Sequence, residues 1–268
     1  MIAARQLFMV LITTLLAAQA NAEANFGDMS ADQKGLAIAE QVKARDRGWN
    51  DSRAAMEMQL YRRDKLLATR EMRIQALEVV DDGDKSLTIF DTPRDVQGTA
   101  FLTFTHVLED DEQWLYLPAL KRVKQISSKN KTSPFMGSEF SYEDLNSFEV
   151  PRYSYTWLRD EPCGDTTCFV ILARSKDPYT GYSKETIWID KDEYRPLKVK
   201  YYDKRQSLLK TLTLSDYRKY LDRFWRPGKQ VMVNHQSGNR TVILMKDYQF
   251  NTGLTSEDFT RNSLMRAR

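Results

Sequence analysis

The chain has 268 residues, and its 40 lysines and arginines nearly balance its 37 aspartates and glutamates, giving a formal net charge of +3. This balance argues against a nucleic-acid-binding domain, because such domains are usually strongly basic. A fraction of 41% hydrophobic residues is sufficient for a folded core. The expected protein is therefore a globular domain without a nucleic-acid partner.

The N-terminus has the features of a secretory signal peptide. Arg5 supplies a positive start, residues 7–18 are mostly apolar, and Ala20-Asn21-Ala22 is a small-x-small cleavage site. The apolar run is short for a membrane span, which needs ~20 residues, so a retained N-terminal anchor is the less favoured alternative. The sequence predicts removal of residues 1–22 and a single exported domain over residues 23–268.

One helix is predicted near the start of the exported domain. Ser30 and Gln33 have the spacing of a capping box. Apolar residues then recur at helical spacing, and Gly48 is a suitable stop. We expect this helix to cover one end of the β structure that follows.

After Asn50 the apolar residues repeat every second position, as in a half-buried strand. Roughly eleven short segments of this kind are separated by turn sequences such as Asp82-Gly83 and Pro227-Gly228. Because no long helix lies between them, they should pair antiparallel in a sandwich or a barrel. The predicted fold class is mainly β, with one N-terminal helix.

The most distinctive stretch covers residues 113–145. It opens with a strand, Gln113–Leu117, that has apolar residues on both faces, and Pro118 ends this strand. A basic segment with Lys121, Arg122 and Lys124 follows. The stretch closes with the apolar turn Pro134-Phe135-Met136-Gly137 and an acidic, aromatic piece that contains Phe140 and Tyr142.

Two blocks of this stretch, Trp114–Ile126 and Pro134–Leu145, resemble the signature of a LolA-like family of periplasmic proteins. Members of this family are named outer membrane lipoprotein-sorting proteins and are often paired with RND-type exporters. The resemblance implies a half-open antiparallel β-barrel with a helix or loop lid. It also implies a periplasmic location in a Gram-negative envelope, and an apolar cargo such as a lipid or a lipoprotein acyl chain.

On this interpretation, apolar side chains of the central stretch line a cavity and form a mobile lid. The candidates are Trp114, Tyr116, Leu117, Phe135, Met136, Phe140 and Tyr142. Methionine adapts to varied apolar ligands. The alternative is that these residues form an ordinary packed core.

The basic segment offers a candidate contact surface. Lys121, Arg122 and Lys124 are predicted to touch an acidic partner or anionic lipid headgroups during transient contact with a membrane; the alternative is a solvated loop. The carboxylates of Glu139, Glu143 and Asp144 could act as a catalytic pair, but we expect them to pair with these cations instead and so to hold the lid over the barrel. The acidic run Glu109–Glu112 has no metal-loop spacing and is interpreted as a solvated turn.

Cys163 and Cys168 lie in one short loop between two predicted strands. Export to an oxidising compartment favours a disulfide between them. A metal site would need two further soft ligands, and the only histidines, His106 and His235, are isolated in sequence. A structural disulfide is therefore predicted, with no metal or other cofactor.

The sequence gives little support for an enzyme. It contains no Gly-x-Ser-x-Gly elbow, phosphate-binding glycine loop, His-Glu-x-x-His or Cys-x-x-Cys motif. The leading hypothesis is a carrier that binds an apolar ligand and exchanges it with an envelope partner. The alternative is a non-catalytic accessory subunit of an RND-type exporter that carries no ligand.

Overall fold

The computed structural model describes residues 26–266, so the predicted signal peptide lies outside the described residues. Helix α1, Ala31–Arg45, starts at the predicted capping box. The backbone N–H of Gln33 donates to Ser30 Oγ at 3.2 Å, and the backbone N–H of Ser30 donates to Gln33 Oε1 at 2.9 Å. These reciprocal bonds satisfy two donors that a bare helix end would leave unpaired. No described helix is long and apolar enough to span a membrane.

Fifteen strands make up most of the remaining described chain. They are β1 Asp51–Arg62, β2 Lys65–Leu77, β3 Lys85–Thr92, β4 Ala100–Phe104, β5 Glu112–Leu117, β6 Arg122–Ile126, β7 Tyr153–Cys163, β8 Thr166–Ser175, β9 Lys184–Asp190, β10 Pro196–Tyr202, β11 Leu208–Ser215, β12 Arg218–Tyr220, β13 Phe224–Arg226, β14 Lys229–Asn234 and β15 Arg240–Phe250. A short helix, α2 Arg261–Arg266, follows them.

Thirteen of these strands form one antiparallel sheet in the order β6-β5-β4-β3-β2-β1-β15-β14-β11-β10-β9-β8-β7. Each half of the sheet is a run of neighbouring hairpins, and the halves meet where β1 pairs with β15. The end strands β6 and β7 do not pair with each other, so the barrel is half-open. The connection between them, residues 127–152, contains most of the distinctive central stretch, and we call it the lid segment.

The predicted mainly β, half-open barrel with an N-terminal helix is confirmed, but the strand count of about eleven was too low. Strand β6 lies inside the basic segment, for which no strand was predicted. Its exposed polar residues hide the apolar alternation, as is common for an edge strand. Strands β12 and β13 have three residues each, which is too short for a repeat to show.

Two main apolar clusters cover the two faces of the sheet, and a third, small cluster surrounds the disulfide. The larger cluster fills the inside of the barrel, and α1 contributes Ile38 and Ala39 to it. The close approach of α1 to β7 depends on Gly35, because a Cβ there would lie 2.7 Å from the backbone nitrogen of Trp157. The smaller cluster lies on the outer face, where α2 contributes the fully buried Leu264. The lid segment is thus on the inner side and the C-terminal segment on the outer side.

Candidate functional site

The predicted cavity residues divide between the two faces of the sheet. Trp114 and Tyr116 pack in the outer cluster beneath the C-terminal segment, where the Arg261 guanidinium lies 4.9 Å from the Trp114 ring centroid. The others belong to the inner cluster: Leu117, Phe135, Met136, Phe140 and Tyr142. This division follows from strand geometry, since Trp114 and Tyr116 share one face of β5 and Leu117 has the opposite parity.

The lid segment inserts aromatic side chains into the barrel interior. Phe135 and Phe140 are only 2% and 3% exposed. The Phe135 ring centroid lies 5.1 Å from that of Phe101 on β4 and 5.6 Å from that of Tyr142. These separations are those of favourable tilted and edge-to-face aromatic pairs. In this conformation the lid therefore fills the interior instead of resting on its rim.

A buried ion pair joins the lid segment to the sheet. Lys210 Nζ on β11 lies 2.5 Å from Asp144 Oδ2, and these side chains are only 5% and 3% exposed. Asp144 also accepts hydrogen bonds from the Ser141 backbone N–H at 2.6 Å and the Tyr182 hydroxyl at 2.8 Å. Lys210 donates a second bond to the Glu139 carbonyl at 3.2 Å. Each charge thus has several partners, as a buried pair requires.

Glu143 makes a second connection, to the loop between β8 and β9. Its carboxylate accepts hydrogen bonds from Thr180 Oγ1 at 2.9 Å and from the Gly181 backbone N–H at 3.0 Å. Burial and the neighbouring Asp144 charge raise the pKa of Glu143. Glu139 accepts a hydrogen bond from Asn234 Nδ2 on β14 at 2.8 Å. The expected pairing of these three carboxylates with Lys121, Arg122 and Lys124 is therefore wrong, because their partners lie on the opposite half of the sheet.

Further hydrogen bonds surround the lid segment on both halves of the sheet. Gln113 Nε2 donates to the Tyr142 carbonyl at 2.9 Å, and Arg70 Nη1 donates to the Met136 carbonyl at 2.5 Å. Lys131, at the start of the segment, forms a buried ion pair with Asp177. These polar contacts hold the segment in place together with the packing of its aromatic side chains.

The end of the lid segment is fixed by Asp111, in the acidic run that was interpreted as a solvated turn. The Asp111 side chain is only 8% exposed and forms an ion pair with Arg152. It also accepts hydrogen bonds from Asn146 Nδ2 at 2.6 Å and from the His106 backbone N–H at 3.1 Å. The solvated-turn interpretation is therefore wrong for Asp111.

A tight bend interrupts the lid segment at Met136 and Gly137. Both residues have positive φ, of 50° and 75°. Methionine in the left-handed region carries a steric cost of about 1 kcal/mol or more. Gly137 is exposed, and a Cβ there would have nothing within 4 Å. At Gly137 the bend therefore faces open space, between the buried side chains of Phe135 and Phe140.

The interior also contains a carboxyl group that the sequence analysis did not select. Glu185 on β9 has the same parity as Ile187 and Ile189 of the inner cluster, and it pairs across strands with Tyr201. Burial, with smaller contributions from Asp144 and Glu143, raises its pKa to about 8. The barrel interior therefore has an apolar part beneath β3 and β4 and a polar part around Glu185 and Lys210.

The basic residues Lys121, Arg122 and Lys124 lie at the free edge of the sheet. All three are exposed, and Lys121 occupies a left-handed position (φ 48°) at the start of β6. Within residues 26–266 none of them forms an ion pair with a carboxylate. They are separated from the Lys210–Asp144 pair, and they form a surface instead of a clamp on the lid.

The predicted disulfide between Cys163 and Cys168 is confirmed, with a Cα–Cα distance of 5.8 Å at the end of the β7–β8 hairpin. His106 Nδ1 lies 2.5 Å from Asp82 Oδ2, and His235 Nε2 lies 2.8 Å from Thr211 Oγ1. Burial disfavours protonation of His106, but the bonds to its carboxylate neighbours outweigh burial and raise its pKa. No cluster of three potential metal ligands occurs in the described part of the chain.

Sequence reasoning missed Lys210 and Glu185, although a local signal marks both. Lys210 has the parity of Leu212 and Leu214 on β11, and Glu185 has the parity of two isoleucines on β9. A charged residue at an inward-facing strand position is costly unless it is paired. Such positions are candidates for structural or functional roles.

The arrangement defines a half-open β-barrel with an inserted lid, and comparisons with known proteins agree. The chain is similar to the crystal structure of an outer membrane lipoprotein-sorting protein domain from Vibrio parahaemolyticus, with 53% identity and a TM-score of 0.86 over 88% of this chain and 100% of that one. A DUF1329 family protein from Desulfovibrio piger has 29% identity and a TM-score of 0.83, again over 88% and 100%.

A LolA superfamily protein from Nitrosomonas europaea shares the fold, with 20% identity and a TM-score of 0.67 over 88% of this chain and 99% of that one. The model of a family described as an uncharacterized protein matches residues 82–266. No curated protein matches the chain. The chain belongs to the LolA-like family of outer membrane lipoprotein-sorting proteins, as its central stretch predicted.

Proposed function

We propose that the protein is a non-catalytic periplasmic carrier that binds a lipid, a lipoprotein acyl chain or another apolar ligand in its half-open barrel. The family supports this function, since a similar protein is named for lipoprotein sorting. The disulfide supports an oxidising compartment. The main observation is that a segment of the chain itself occupies the barrel interior with Phe135, Phe140 and Tyr142.

In this proposal the lid segment takes the place of the cargo in the empty carrier. Its aromatic side chains cover the inner face of β3 and β4, which would otherwise expose Phe90 and Phe101 to water. An entering acyl chain would displace them, and each buried CH₂ contributes about 0.8 kcal/mol. The inner face of the barrel would thus stay covered in both states, by the lid when the carrier is empty and by the cargo when it is loaded.

The bend at Met136 and Gly137 and the polar contacts of the segment fit this exchange. Displacement would break the Lys210–Asp144 pair, so that pair sets much of the cost of opening. Trp114 and Tyr116 would not touch the cargo in this scheme, because they lie on the outer face. The proposed cargo contacts are Leu117, Phe135, Met136, Phe140 and Tyr142.

Native mass spectrometry with lipid extraction tests the proposal on protein purified from the periplasm. We expect a bound lipid or acylated species, or uptake of a long-chain fatty acid offered as a probe. Hydrogen exchange then reports on the lid: the Phe135 N–H, which donates to the Phe140 carbonyl at 2.7 Å, should exchange faster in the loaded form. Uptake with unchanged exchange at Phe135 would disprove the displacement mechanism.

The filled interior also favours a second candidate, an accessory subunit of an RND-type exporter that carries no ligand. In that case Lys121, Arg122 and Lys124 on β6 would contact the exporter, since they form an exposed basic edge. A clean mass after incubation with envelope lipids, together with exporter binding lost on replacing these three residues by glutamine, would favour this candidate over the carrier.

A further inference from the structure

The hairpin formed by β1 and β2 extends beyond β3 on one side, and on its other side its end lies beside the β14–β15 turn. The β2–β3 pairing begins only at Glu71, so residues 65–70 of β2 have a partner on one side alone. The β1–β15 pairing ends at Tyr61. Residues 62–67, which we call the hairpin tip, therefore lie at the rim of the barrel, and β3 does not cover them.

The hairpin tip combines exposed leucines with cations. Leu66 and Leu67 are 47% and 51% exposed, and they adjoin the exposed side chains of Arg62, Arg63 and Lys65. The acidic residue of the tip, Asp64, has a 99% exposed side chain that lies 3.8 Å from Arg240 Nη1. An ion pair this exposed contributes little. The tip thus presents apolar surface within a positive field.

A cleft of about 480 Å³ opens beside the tip. One side is formed by tip residues, and the other by Ser237 and Asn239 of the β14–β15 turn. The two turns are neighbours, since a Cβ added to Gly238 would lie 3.8 Å from Arg63 Cγ. The volume is within the range of small-ligand sites, and the basic and hydroxyl groups around it suit an anionic headgroup.

The tip and the bend of the lid lie at the same end of the barrel. Arg70, three residues beyond the tip on β2, donates to the Met136 carbonyl. The Glu139 backbone N–H donates to Thr241 Oγ1 at 2.9 Å, and Thr241 pairs with Leu60 just before the tip. A surface that met the tip would therefore lie close to the bend of the lid at Met136 and Gly137.

We propose that the hairpin tip is a docking surface for an anionic lipid membrane, and that it places the rim beside the lid bend against the bilayer. Basic side chains would lie among the headgroups, and Leu66 and Leu67 would enter the apolar boundary beneath them. This assigns membrane contact to the tip instead of Lys121, Arg122 and Lys124. The inference does not depend on cargo binding, because docking can be measured on the empty protein.

Vesicle flotation tests the proposal, with vesicles of phosphatidylcholine alone or mixed with phosphatidylglycerol. We expect binding to the anionic vesicles at low salt and its loss at high salt. Leu66→Ser with Leu67→Ser should weaken binding about tenfold through lost apolar burial. Arg62→Gln with Arg63→Gln should weaken it about 25-fold, since each charge contributes about fivefold near an anionic surface.

Two control variants isolate the tip. Leu108→Ser removes a leucine that is 87% exposed elsewhere, and Lys121→Gln with Lys124→Gln removes two charges from β6. Both should bind vesicles like the parent protein. The proposal would be overturned by any of three results: the parent protein does not bind, the tip variants bind as well as the parent, or only the β6 variant loses binding. Concentration-dependent dimerisation abolished by the leucine variant would instead assign the tip to a second copy of the chain.

Discussion

Replacing Lys210 by methionine tests whether the buried ion pair holds the lid segment in the barrel. Methionine preserves most of the apolar length of the side chain, so the change mainly removes a charge. It leaves the Asp144 carboxylate, 3% exposed, with hydrogen bonds from Ser141 and Tyr182 but without a counter-charge. The second bond from Lys210 to the Glu139 carbonyl is also lost.

The expected cost in the free energy of unfolding is about 3–5 kcal/mol, the range for removing one partner of a buried pair. Urea denaturation at neutral pH, followed by circular dichroism, measures this cost. Hydrogen exchange gives an independent result, because the Glu143 N–H donates to the Lys131 carbonyl at 2.9 Å within the lid segment and should lose protection. The disulfide-bonded end of the β7–β8 hairpin, at the other end of β7 from the lid segment, should exchange as before.

A double-mutant cycle completes the test. Lys210→Met combined with Asp144→Leu removes both charges, and replacement of a whole buried pair by apolar residues is often nearly neutral. We therefore expect the double variant to be more stable than Lys210→Met alone. If Lys210→Met lowers the free energy of unfolding by less than about 1 kcal/mol, as is typical of an exposed pair, the Lys210–Asp144 pair is not what holds the lid in the barrel.

Three other variants test separate features. Glu185 has a pKa of about 8 against its ordinary value of 4.5, so between these pH values only the folded state binds the proton, and the free energy of unfolding falls as pH rises through them. Glu185→Gln should reduce the difference between the free energies of unfolding measured by urea titration at pH 5 and pH 8. An unchanged difference would contradict the raised pKa. Replacing Cys163 and Cys168 by serine should lower the free energy of unfolding by about 2 kcal/mol, a small loss because the disulfide closes a short loop. The variant should have the same melting temperature as the parent protein after reduction, and a different melting temperature would show that the serines act by another route. Gly35→Ala should lower the melting temperature although alanine favours helices by about 1 kcal/mol, because its Cβ would meet the Trp157 backbone; a rise in melting temperature would contradict the close contact.

Local features of the fold were predictable because they depend on neighbours in sequence. The capping box at Ser30 and Gln33 and the disulfide between Cys163 and Cys168 need only short spacings. The period-two alternation likewise located the strands whose inner face is apolar. Strand β6 was not predicted because it is an edge strand of the sheet, and an edge strand can carry cations at its exposed positions.

The partners of the lid were not predictable from local pattern. Asp144 meets Lys210, 66 residues further along the chain, because β11 faces the lid segment across the barrel. The basic segment is nearer in sequence but lies on the free edge of β6. Which cation reaches a carboxylate depends on the order of strands in the sheet, and that order is a long-range property. For the same reason the sequence placed Trp114 and Phe135 in one cavity, while the sheet separates them.

The pairing of β1 with β15 has a consequence for how the protein folds. Each half of the sheet is built from hairpins that are local in sequence, and such contacts form quickly. The seam between the halves joins residues such as Ser52 and Phe250, so it must close a loop of nearly the whole domain. We expect two hairpin arrays to assemble independently and the seam to form last. A chain emerging N-terminus first would then expose the unpaired edge of β1 until its final strand arrives, and that interval is when it most needs a chaperone.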